Sequence, residues 1–85
     1  MLLQKTYKIG PHKVRVRLTE HIDDCGQADN KKNEILIYPG LADSQLGETL
    51  LHEAMHVMNS TMDHALLASL AQQIWGFLQD NDLLK

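Results

Sequence analysis

His52-Glu53-Ala54-Met55-His56 is the stretch of this chain in which residue type and spacing add up to chemistry. Positions four apart on a helix project from one side, so the two imidazoles can share a Zn²⁺ ion, and the carboxylate beside the first can reach water on that ion. Catalytic zinc commonly takes three protein ligands and keeps one position open, which leaves one ligand to find. Asp63 and His64 both stand where a second helical segment begins, to either side of its Leu67 and Ala71 stripe. Geometry does not choose between them. Chemistry favours His64, because Asp63 is also placed to cap the helix and neutral imidazole is the commonest metal ligand. A loop residue such as His21, or water alone, is the remaining alternative. Glu53 would act as general base: zinc lowers the pKa of its water toward ~7, and the carboxylate takes the proton and passes it to a leaving amine. A donor to the developing oxyanion would come from Tyr38, Tyr7, His12 or His21, although Tyr38 reads first as a packed aromatic and His12 as a surface turn residue.

The elements that must position these groups can be read from periodicity. Residues 4 to 9 and 13 to 19 are expected to form a hairpin around Gly10-Pro11-His12, since Val14, Val16 and Leu18 alternate with Lys13, Arg15 and Arg17. A loop through Asp23-Asp24 and Gly26 leads to a short extended segment at residues 26 to 29, and residues 29 to 33 turn the chain. Glu34 to Tyr38 is β-prone and stops at Pro39-Gly40. The rest is helical in period. Asp43 or Ser44 is expected to N-cap a helix that runs to about Asn59. At about 100° per residue, His52, His56, Glu53 and Thr49 share one side of it, while Gly47, Leu50, Leu51, Ala54 and Met58 share another. Gly47 lies in that second stripe, where a missing side chain would let the backbone approach the sheet. Asp63 is expected to cap a second helix from about His64 to Gln79, with Leu67, Leu70, Ala71, Ile74, Phe77 and Leu78 as its buried stripe. The expected fold class is α+β: a small antiparallel sheet followed by two helices, as a single domain over residues 1–85.

Eighty-five residues give a small core with little margin of stability, which a bound metal would widen. The single Cys25 excludes an internal disulfide and reads as a half-buried small residue in a loop. A net charge of −3 with scattered basic residues argues against nucleic acid as a partner. No segment reads as membrane-spanning. Met1-Leu2-Leu3 runs at once into Gln4-Lys5, so no export signal is expected and the chain is expected in the cytoplasm.

Beyond single residues, the succession Gly26-x-x-Asp29, Ile35-x-Ile37, Thr49-Leu50-Leu51-His52-Glu53-x-x-His56, Leu67-x-x-Leu70-Ala71 and Phe77-Leu78-x-Asp80-Asn81 resembles the very small zincin-like metallopeptidases of phages and prophages, related to the ImmA/IrrE and SprT-like groups. The resemblance covers roughly residues 4 to 81, and within it the zinc motif is the specific part. It implies a minimal zincin core: a curved antiparallel sheet, the motif helix beneath it, and a second helix that brings the third ligand. It also implies zinc-dependent hydrolysis of a protein or peptide, docked along a sheet edge for which residues 26 to 28 are the candidate. So small a chain has few subsite walls, which leaves specificity to a partner protein or to self-association. In such relatives the third ligand is typically a glutamate at the start of the last helix, where this chain has His64. A metzincin Met-turn is missing, and His64 lies further from His56 than that group's extended motif has. The alternative reading is a zinc-stabilised binding or regulatory module that keeps a peptidase's fold without its activity.

Overall fold

The computed structural model describes residues 5–29 and 31–83. Met1 to Leu3, which bear on the expectation of no export signal, Gln4 at the start of the first strand and Asn30 in the turn lie outside the described residues. The chain runs through four strands, β1 (Lys5–Ile9), β2 (His12–Leu18), β3 (Gly26–Asp29) and β4 (Glu34–Ile37), and then two helices, α1 (Asp43–Met58) and α2 (His64–Asp80). This is an α+β arrangement with the strands first and the helices after. No helix among the described residues is long and apolar enough to cross a membrane.

β1 and β2 form the expected hairpin, with Tyr7 opposite Val14 and Lys5 opposite Val16. Gly10 turns it with φ +58°, a left-handed conformation that a residue without Cβ adopts at no steric cost. The sheet as a whole departs from the antiparallel expectation. Its order is β1-β2-β4-β3, and β2 pairs with β4 in parallel, Val16 opposite Ile35 and Leu18 opposite Ile37. Two antiparallel hairpins are thus joined side by side through a parallel pair, giving a mixed sheet. The reason is burial. Ile35 and Ile37 are fully enclosed, so β4 takes an interior position, and the shorter, more polar β3 is left at the edge. The chain between β2 and β4 is long enough for the crossover that a parallel pair requires, and β3 is carried within it. Asp29 fixes the turn into β4 by accepting hydrogen bonds from the amides of Lys31 and Lys32 at 3.0 and 3.2 Å.

α1 is the middle layer. Its Val57 closes a core with Val14, Val16, Ile35 and Ile37, which Leu46 and Leu50 flank; on its other side Met55 packs with Leu67 and Ala71 of α2. A helix covered on two sides has two buried stripes. That is why Met55 and Val57 are buried and Met58, expected inside, is 59 % exposed. Gly47 is indeed a packing position, but toward α2 and not the sheet: a Cβ there would collide with the Trp75 indole. The two helices are therefore antiparallel, and α2 buries Leu67 and Ala71, with the half-buried Trp75 continuing the same ridge. Ile74 and Phe77, expected in that stripe, lie off the ridge and stay exposed.

Helix ends follow local chemistry. Asp63 caps α2 as expected, its carboxylate accepting from the Leu66 amide at 3.0 Å. At α1 the N-cap is Ala42, with no side-chain bond, and Asp43 falls inside the first turn instead, where its charge suits the helix dipole. Asn59 ends α1 and accepts from the Thr61 amide and hydroxyl, turning the chain toward α2.

Candidate metal centre

Three histidines meet where α1 faces the start of α2. His52 and His56 stand one turn apart on α1, and the turn after Asn59 returns the chain so that His64, the first residue of α2, comes back over them. The ring centroids are 4.9 Å apart for His52 and His56, 5.1 Å for His52 and His64, and 5.4 Å for His56 and His64. One ligand nitrogen from each lies within 4.8 Å of the others, so the set can hold a metal ion. The donor geometry fits a small tetrahedral site. Two nitrogens each ~2.0–2.1 Å from one ion at the tetrahedral angle are about 3.3 Å apart, and the Nε2 atoms of His52 and His56 are 3.2 Å apart. His64 is exposed, with its ring against both of the others.

Glu53 lies between this cluster and the sheet. It is the one buried charged residue among those described, 7 % exposed, and its side chain lines both hollows that open beside the histidines. Burial, reinforced by the charge of Asp24, pushes its carboxyl from an ordinary 4.5 up to about 7. The histidines respond in the opposite direction. His52 is held below its usual value first by burial, then by the neighbouring His56 and His64 charges, with Glu48 partly offsetting them; His56 is lowered by burial and by His64. Neutral imidazole is the form that ligates metal, so both effects favour binding at neutral pH.

Gly26 sets the depth of the cleft. A Cβ at this first residue of β3 would lie 2.6 Å from Thr49 Cγ2 and 3.1 Å from Glu53 Cγ, so the edge strand rests against α1 at the level of Glu53 only because that position is bare. The larger hollow, about 320 Å³, takes in Asp24, Cys25, Glu48, Glu53, His52 and His64; the smaller, about 260 Å³, extends along Gln27 and Ala28 toward His56. The larger is at the small end of the ~300–1,000 Å³ usual for ligand sites and the smaller just below it.

The structure thus brings His52, Glu53, His56 and His64 together. Asp63 is occupied as a helix cap. His21 is exposed in the loop after β2 and outside the histidine cluster, and neither it nor His12, Tyr7 or Tyr38 lines either hollow. Cys25 is exposed, not half-buried, and its Sγ accepts from Gln45 Nε2 at 3.4 Å. Asp24 and Glu48 were not singled out by the sequence. Glu48, four residues before His52, shares its helix face and was legible in principle; Asp24 sits in a loop with no periodicity to place it. Comparison of the chain with family models, curated proteins and solved structures finds no match. The functional reading therefore rests on the cleft itself.

Proposed function

We propose that this chain is a zinc-dependent metallopeptidase that hydrolyses a peptide bond in a protein or peptide, as the resemblance to small zincin-like enzymes implies. The observation that carries the reading is a buried carboxylate, Glu53, beside three converging imidazoles in one open cleft. A purely structural three-histidine site has no use for a buried carboxylate at its open side. His52, His56 and His64 would hold the ion, which when bound supplies Lewis-acid polarisation of the scissile carbonyl and acidifies water. Glu53 accepts a proton from the attacking water and returns it to the departing amine nitrogen, a task suited to a carboxyl poised near neutrality. The sheet side of the cleft is the edge strand β3, paired only with β4, so an extended peptide can add alongside Gly26, Gln27 and Ala28.

The decisive experiment pairs metal content with hydrolysis of a mixed quenched-fluorescent peptide library. One zinc per chain is expected in the wild type and in Glu53→Gln, with hydrolysis only in the wild type. Equal turnover by Glu53→Gln would remove Glu53 from the mechanism. A second reading, an inactive zinc-stabilised binding module, draws support from the absence of Tyr7, Tyr38, His12 and His21 from the hollows, which leaves the side chains of Thr49, Gln27 and Ser60 as the neutral donors lining them. Metal binding with no hydrolysis across the library would favour it.

A further inference from the structure

The cleft is negatively charged in a way that ligating and activating residues do not require. Asp24 lines both hollows, close enough for its charge to act on Glu53, and Glu48 lines the larger, close enough to act on His52. No Lys or Arg lines either hollow among the described residues. The imbalance extends through the chain. The eight basic residues are Lys5, Lys8, Lys13, Arg15, Arg17, Lys31, Lys32 and Lys85, so no Lys or Arg occurs from Asn33 to Leu84, the stretch that carries the three clustered histidines and Glu53. The basic residues described are exposed on β1, β2 and the turn after β3, away from the cleft lining. Glu53, buried and aimed into the hollows, makes no hydrogen bond among the described residues. Asp24, Glu48 and the partly ionised Glu53 flank neutral imidazoles, so the carboxylates together at least match the charge of a divalent ion, with no basic group beside them.

We propose that Asp24, together with Glu48, makes the cleft selective for a cationic group next to the scissile bond: a Lys or Arg side chain, or a free α-ammonium. This rests on the peptidase reading and adds the substrate class to it. Asp24 is the specificity-determining residue, because it borders both hollows and any chain laid along β3 must pass it. Glu48, fixed one turn before His52 on α1, gives the same sign of field in the larger hollow.

The test uses the zinc-loaded protein and short hydroxamate peptides that differ at one residue, Lys, norleucine or Glu, each with a free or an acetylated N-terminus. Binding is measured by calorimetry, and turnover with the matching amide substrates. A half-screened charge pair of this kind gives on the order of a tenfold preference for Lys over its uncharged counterpart, weakening as salt is raised. Asp24→Asn should reduce that ratio to about twofold with zinc content unchanged; using a ratio cancels any general effect on Glu53. A preference for Lys over norleucine that survives acetylation assigns the Lys side chain, and a preference for free over acetylated N-termini whatever the varied residue assigns the α-ammonium. Equal affinity for Lys, norleucine and Glu peptides with either N-terminus, or a preference untouched by both Asp24→Asn and Glu48→Gln, overturns the inference. Charge-selective binding without turnover keeps the inference and sinks the peptidase reading. Turnover without charge preference does the reverse.

Discussion

Glu53→Gln should make the metal-free protein more stable while removing its chemistry. Shifting a carboxyl's titration from 4.5 to about 7 opposes folding by on the order of 3 kcal/mol once pH exceeds both values. Water entering the open hollows reduces this, and the replacing amide is itself a buried polar group without a partner, at about 1 kcal/mol. A net gain of about 1–2 kcal/mol remains, or ~5–10 °C in Tm for a domain of this size. The pH dependence fixes the cause. Above about pH 7 Glu53 is ionised in both folded and unfolded chains and the full penalty applies; as pH falls the native carboxyl takes up its proton first, and below about 4.5 the penalty is gone. Thermal melts in chelator should therefore put Glu53→Gln ahead of wild type at about pH 8 and show that lead lost by about pH 4.5, where only the amide's own cost remains and the variant is level with wild type or up to about 1 kcal/mol below it, with the histidines cancelling because both proteins carry them. An equal or lower Tm for the variant at the higher pH, or the same gain at both, would refute the claim that the fold holds this carboxylate at a cost.

His64→Ala should weaken zinc binding markedly and remove most of the thermal shift that zinc confers, whereas Asp63→Ala should lose only a helix cap, about 0.5–2 kcal/mol, with zinc retained; a zinc-competition titration that ranks them the other way would show the wrong neighbour was chosen. Because the His52 and His56 titrations are lowered, protons should compete with zinc for these two rings only further into acid than for an ordinary imidazole; a decline in affinity starting above pH 7 in the same titration would contradict this. In the metal-free protein the same lowering means stability fully present above 6.5 and lost as pH falls below it. Gly47→Ala should destabilise by about 1–3 kcal/mol, since the new methyl meets Trp75, and pairing it with a smaller residue at position 75 should recover part of the loss in a denaturant melt.

How much of this was legible in the chain depends on whether the information is local. Alternation gave the β1–β2 hairpin, and a helix period gave α1 and α2 to within a residue or two, because each reports a residue's own neighbours. The His52, Glu53, His56 face is local in the same sense. His64 could be argued because the Asn59 turn leaves few ways for the chain to return. The parallel pairing of β2 with β4 was not legible: hydrogen-bond partners are chosen by burial across the whole sheet, and no spacing within Ile35-Leu36-Ile37 says on which side its neighbour runs. Gly47 shows the same limit. The helical wheel placed it in a packed stripe, but only the assembled fold says that Trp75, not the sheet, fills the space. Phe77 was misplaced because one buried ridge on α2 serves where the pattern allowed two.

Layer order has a kinetic meaning as well. α2 rests chiefly on α1, and its buried contribution is short, Leu67 and Ala71 with Trp75 beyond them. A helix so attached is a natural unit of sub-global opening, able to detach while the sheet and α1 stay folded. His64 belongs to that unit and His52 and His56 do not, so an ion shared by all three would be a clasp across the seam between the two helices. Amide exchange along α2 would then report occupancy of the centre directly: fast and metal-dependent there, slow and indifferent to metal in β2 and β4.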